Sequence, residues 1–169
     1  MRPETKEFLD LTLQTAGFEG KKMVSSGEDI FSFDDSSKNV IKVGIENKSA
    51  KIAANKENIN DANTIASYQD RLFLNRSDGI YEMDVVSKKV IERDWNDTDL
   101  FYSYAANIYL LDRDEKEIYR FAGSNKTFSS KSGWLAPGIE MDFSKVVDMV
   151  IDGSIWLLSS TGKVTKLTN

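Results

Sequence analysis

The sequence predicts an all-β protein, a β-propeller built from about four four-stranded antiparallel blades, and three observations predict it. A hairpin-like unit recurs four times in 169 residues, at 29–43, 71–83, 107–121 and 154–167, the third copy reading "NIYLLDRDEKEIYRF". The first apolar pair of each copy is Ile30-Phe31, Leu72-Phe73, Ile108-Tyr109 and Ile155-Trp156, at spacings of 42, 36 and 47 residues. Those spacings suit propeller blades. Within the copies apolar and polar residues alternate with period two, as strands require.

The elements of the unit come in a fixed order. An inner segment precedes each marker pair, in "KMVSSG", "TIASYQD", "FYSYAA" and "DMVIDG", and is rich in small residues such as Ser25, Ala66, Ser67, Ser103 and Ala105. The bulky second segment carries the marker pair. The third begins 10, 8, 10 and 9 residues after the mark, at Val40, Ile80, Ile118 and Val164, which is hairpin spacing. Between them lie the turn formers "DDSSKN", "NRSDG", "DRDEKE" and "SSTG", where Gly79 and Gly162 supply positive φ. A polar outer segment comes next in "SAKIAA" and "KKVIER", with a longer one, "TFSSKSGWLAPG", at 127–138. One such meander cannot bury both faces alone; blades packed around an axis can. An accidental set of similar hairpins in a β-sandwich is the alternative.

The expected organisation is a single domain over residues 1–169, with blades at about 18–60, 61–98, 99–142 and 143–169. The last unit stops after its third strand. Leu9, Leu11 and Leu13 alternate, so residues 7–15 read as a strand that completes an incomplete blade. A helix started at Pro3 and stopped at Gly17 is the other reading. Four blades close alone or as half of an eight-bladed ring made by two copies. An open arc would expose two apolar sheet faces.

Composition narrows function. There are 22 Lys and Arg against 27 Asp and Glu, a net charge of −5, and no basic stripe, so nucleic acid is not an expected partner. With no Cys and no His, disulfides, thiolate or imidazole metal sites and Ser-His-Asp catalysis are excluded. No apolar run reaches the roughly 18 residues of a membrane helix, and the start lacks the apolar core of a signal peptide. The chain itself is expected to make no membrane contact; an anchor or export signal would lie outside it.

Candidate sites are few. Asp112 and Asp114 have the first and third positions of a calcium loop, but Glu117 and Gly123 stand where Gly and Glu are needed. The stretch 112–117 reads instead as a solvated, charged turn. "SSTGK" at 159–163 lacks the spacing of a phosphate loop. The triplets at Asn47, Asn75, Asn96 and Asn125 fit the glycosylation pattern as a by-product of an Asn-rich chain. Trp156, equivalent to Phe31, Phe73 and Tyr109, is expected in the core between blades. Trp95 and Trp134 are expected to pack on or near outer strands. Tyr68, Tyr102 and Tyr104 fall on inner strands that converge on a channel. With Asp112, Arg113 and Asp114 they are the candidate ligand-binding residues. No catalytic residue, metal ligand or cofactor is assigned.

The segment Ile108 to Phe121, apolar-Tyr-Leu-Leu-Asp-x(5)-Ile-Tyr-x-Phe, followed by "SGWLAPG" and "VVDMVIDGSIWLLSSTGKVTKL", resembles the C-terminal propeller regions of uncharacterised bacterial membrane-anchored proteins, some with a phosphatase-like domain upstream. That resemblance implies a piece of a larger propeller and an extracytoplasmic bacterial location. It carries over no functional residues. Three functions remain open: a non-catalytic protein- or glycan-binding scaffold of a larger surface protein, a carbohydrate-processing enzyme using paired carboxylates, and a structural oligomerisation unit that associates with itself.

Overall fold

The computed structural model describes residues 7–96, 100–125 and 127–168. The chain forms four consecutive antiparallel sheets arranged as a four-blade β-propeller. The first blade has β1 (Lys22–Ser26), β2 (Asp29–Asp34), β3 (Asn39–Gly44) and β4 (Ser49–Ala54) in sequential order. The second repeats it with β5 (Thr64–Tyr68), β6 (Arg71–Arg76), β7 (Gly79–Met83) and β8 (Ser87–Glu92). The third contains β9 (Phe101–Tyr104), β10 (Asn107–Asp112) and β11 (Glu117–Phe121). A small hairpin of β12 (Gly123–Ser124) and β13 (Thr127–Phe128) then precedes the outer strand β14 (Ser132–Gly133). The fourth has three strands, β15 (Val146–Ile151), β16 (Ile155–Ser159) and β17 (Val164–Leu167).

The marker pairs explain how blades stack. Side chains alternate across a strand, so the two members of each pair face opposite neighbours. Leu72, Ile108 and Ile155 point back to the preceding blade, while Phe31, Phe73 and Tyr109 point forward to the next. Phe31 and Phe33 thus meet Leu72 and Leu74 between the first two blades. Phe73 and Ile80 meet Ile108 and Leu110 between the second and third. Tyr109 and Leu111 meet Ile155 and Leu157 between the third and fourth. A short helix, α1 (Lys56–Ile59), started by the Asn55 side chain accepting from the Glu57 and Asn58 N–H groups, drops Ile59 into the first of these cores.

Trp156 corrects the expectation of a fourth such core. It lies forward on β16, but it belongs to no hydrophobic cluster of the described residues and remains partly exposed. Lys166 Nζ sits 4.8 Å from its ring centroid, and its indole N–H donates to Asp152 Oδ1 at 2.9 Å. Phe31, Phe73 and Tyr109 are 3%, 1% and 6% exposed because a following blade covers them; no described blade covers Trp156 in that way.

The N-terminal segment is a second correction. The described residues before Lys22 form no strand. A single 3₁₀ turn, Leu11–Leu13, is set by Asp10, whose carboxylate accepts both the N–H and the hydroxyl of Thr12. That local bond offers the backbone an alternative to sheet pairing. The segment works as a strap instead: Leu9, Leu11 and Phe18 cover Ile30, Ile41 and Val43 on the backward face of the first blade. The expected long outer segment of the third unit is also different, since only Ser132–Gly133 pairs with β11. Phe128 leaves that blade and packs edge-on against Phe73, ring centroids 5.9 Å apart.

Candidate binding site in the central funnel

The four inner strands β1, β5, β9 and β15 meet around a funnel of about 220 Å³. Where the strands converge its walls are small, Ser25, Ala66, Ser67 and Ser103, and on the side of the first and fourth blades Met23, Val24, Met149 and Val150 line it. The Ser67 hydroxyl donates to the Ser25 carbonyl at 2.8 Å and ties the first two inner strands together. Across the funnel, Lys22 Nζ lies 3.4 Å from Asp148 Oδ1, joining the first and fourth blades. Asp148 also accepts its neighbour Met149's N–H at 2.9 Å.

Tyr102 stands beside this pair. Burial raises its pKa, and the negative charges of Asp148 and Asp152 push it further up, so the phenol keeps its proton and remains a donor at neutral pH. The site therefore offers hydroxyls, one phenol and one ion pair. A volume near 220 Å³ is below the roughly 300–1,000 Å³ of drug-sized pockets. It suits one protein side chain or a hydroxyl-rich sugar tip.

The sequence candidates separate here. Tyr102 lines the funnel. Tyr68, also on an inner strand, packs against the core between the second and third blades, and Tyr104 against that between the third and fourth. Asp112 is not a solvated turn residue: it is fully buried and accepts the N–H groups of Asn96, Asp114 and Glu115 at 2.9, 3.0 and 3.0 Å. Arg113 reaches from the same turn to the Val146 carbonyl at 2.9 Å, bridging blades, and Asp114 is exposed. None of these three lines the funnel. Among the described residues there is no group of three or more potential carboxylate, imidazole or thiolate metal ligands.

Trp95 is buried edge-on against Phe121, with centroids 5.8 Å apart, and Trp134 packs against the core between the third and fourth blades. Asn75 is buried too, which removes it as a glycan acceptor; residues 97 and 98 of the Asn96 triplet and residue 126 of the Asn125 triplet lie outside the described residues. Sequence reasoning missed Lys22 and Asp148. Asp148 had a signal, because it is the polar interruption of the apolar inner strand "VVDMVI". Lys22 had none apart from its place at the start of an inner strand.

No family model matches the chain, and no curated protein matches it. Among solved structures it is similar to the computationally designed protein Ika4, at a TM-score of 0.59 and 8% identity over 98% of this chain and 99% of that one. A chain of the nidogen/laminin complex gives 0.60 and 8% over 87% of this chain, and a protein of unknown function from Bacteroides thetaiotaomicron gives 0.60 and 11% over 89%. This chain spans 64% and 48% of those last two. The neighbours are propeller-type proteins, and at such identities the likeness is one of fold.

Proposed function

We propose that this chain is a non-catalytic binding module, a propeller that presents the mouth of its funnel to a protein or glycan partner as part of a larger bacterial surface protein. The observation that carries the proposal is the chemistry of the funnel. Glycoside cleavage needs two carboxyl groups about 5–9.5 Å apart, one of them free to act as an acid. The described lining offers one carboxylate, Asp148, held by Lys22, amid serines, a phenol and the apolar side chains of Met23, Val24, Met149 and Val150. Such a surface orients hydroxyls and amides by hydrogen bonds. A parallel for protein recognition exists at the level of fold alone, in the nidogen/laminin complex. The bacterial surface setting rests on the resemblance carried by residues 108–167.

The test is titration with a panel of neutral oligosaccharides and of peptides bearing single exposed side chains, monitored by tyrosine and tryptophan fluorescence and by calorimetry. Saturable binding that weakens at least tenfold in Tyr102→Ala and Asp148→Asn supports the module. Turnover of aryl glycosides that disappears in Asp148→Asn would replace it with the enzyme.

A further inference from the structure

The two ends of the blade array form a matched pair of surfaces, and we propose that they join two copies of this chain, the forward face of the fourth blade in one copy packing on the strapped backward face of the first blade in the other, reciprocally about a two-fold axis. The inference does not require that the funnel bind a ligand, although Met23 and Val150 belong to both surfaces.

The repeat says what belongs on the forward face. In three successive blades, the residue after the marker's first position is covered by the backward face of another blade. The fourth blade presents the same register uncovered. Val150, Trp156 and Lys166 form one cross-strand row, and Asp148, Leu158 and Val164 the next, an apolar middle with one charge in each row, and Val147 lies beside them at a bulge. Val164 is 64% exposed and Val147 50%.

At the other end the strap covers only the middle of the first blade. Met23, Ser32, Ile41 and Ile52 are a single row across β1 to β4. Ile41 is buried beneath the strap, whereas Met23 at the inner end of the row is 67% exposed and Ile52 at the outer end is 50%. Leu13, on the strap, is 80% exposed. Backward and forward faces are the complementary sides of every blade contact within the chain, so a second copy supplies what each end lacks.

The areas required are modest. A stable interface buries about 1,200–2,000 Å² in total. Two reciprocal contacts divide that into four faces of roughly 300–500 Å² each, which asks for several half-exposed aliphatic side chains per face, such as Val147, Val150, Leu158 and Val164 at one end and Leu13, Met23 and Ile52 at the other. The described tie that draws the ends together, Lys22 to Asp148, is partly exposed on both sides and contributes little; a second copy entering between the ends parts this pair and widens the funnel that it lines. A two-fold arrangement that closes on itself uses up both ends, whereas one that does not close would form chains of copies.

Sedimentation equilibrium over a wide concentration range tests the proposal. The expected mass is twice 19.1 kDa. A monomer throughout, or a mass that climbs without limit, overturns it. Val164→Glu and Met23→Glu alter opposite ends at exposed positions, and each is expected to yield monomer with an unchanged far-UV circular dichroism spectrum. Val85→Glu, exposed on a hairpin away from both ends, is expected to stay dimeric. A Met23→Glu protein that remains dimeric, or a Val85→Glu protein that dissociates, overturns the proposal. Mixing the Val164→Glu and Met23→Glu proteins leaves one intact contact per pair and is expected to raise the mass; no rise overturns the head-to-tail arrangement.

Discussion

Asp34 and Asp112 hold the same station in the first and third blades. Each closes the bulky second strand, each is fully buried, and each carboxylate accepts two N–H groups of the turn behind it, Ser36 and Ser37 in one case, Asp114 and Glu115 in the other. Each also receives the N–H of an incoming segment, from Glu19 and Asn96, both at 2.9 Å. One side chain thus fastens the hairpin and the connection that enters the blade. Both turns pass through a left-handed lysine, Lys38 and Lys116, each at φ 53°. In the fourth blade glycine takes that place, Gly162 at φ 80°, whereas the second blade has a shorter turn that leads directly into Gly79, the partner of Arg76.

Removing the Asp112 carboxylate leaves three backbone donors short of a partner. Asp112→Ala is expected to lower stability by about 2–3 kcal/mol, read from urea unfolding. Asp112→Asn, which keeps an acceptor, is expected to lose less.

Acid acts on Asp34. Burial alone would raise its pKa, but hydrogen bonds from Ser37, the Glu19 N–H and Ser36 prevail and hold it far below the usual carboxylate range. A group with a depressed folded pKa stabilises fully above its unfolded value, near 3.9, and loses that contribution as pH falls toward the folded value. Stability is expected to decline as pH drops below about 4, and Asp34→Asn is expected to show a shallower decline in thermal melts across that range.

Gly79 is fixed by contact as well as by φ. Its φ is 149°, and a Cβ built there would lie 2.2 Å from the Ile91 carbonyl oxygen of the outer strand. Gly79→Ala is expected to destabilise by about 2–3 kcal/mol, the upper part of the usual range for single substitutions.

The left-handed lysine makes the opposite prediction. A non-glycine residue pays roughly 1–2 kcal/mol in that conformation, and the greater freedom of glycine in the unfolded chain returns part of it. Lys116→Gly is expected to stabilise by up to about 1 kcal/mol in the same urea assay.

Lys22 and Asp148 are expected to matter little for stability. Their side chains are 29% and 47% exposed, and pairs of this kind contribute about 0–1 kcal/mol. Lys22→Ala is expected to shift the urea midpoint only slightly.

The blades were legible because their signal is local: period-two alternation, turn residues and the marker pairs all lie within a few residues of one another. The marker pairs even carry the direction of stacking, since Ile108 and Tyr109 must face opposite sides. The features that the sequence hid depend on distance along the chain. Asp112 looked like a solvated turn acid because its Asn96 donor belongs to the connection before the blade. Trp156 looked like core because its equivalents are core, and its exposure is set by the neighbour its blade has, which no residue near it encodes. The strap at Leu9 and Leu11 read as a strand because alternating leucines fit either structure, and the Asp10 to Thr12 bond that decides between them is a side-chain choice. The Lys22 and Asp148 pair joins opposite ends of the array, where no local pattern could have placed it.

The strap gives the array a direction. A further meander joined after Leu167 would find Val150, Trp156 and Leu158 facing it, with Lys166 to lift from the Trp156 ring. One joined before Lys22 would first have to peel Leu9, Leu11 and Phe18 from Ile41 and Val43. For anyone lengthening this protein by added repeats, the carboxyl end asks for the smaller rearrangement, because at the amino end only Met23, Ile52 and Leu13, around the strap, lie open to a packing face.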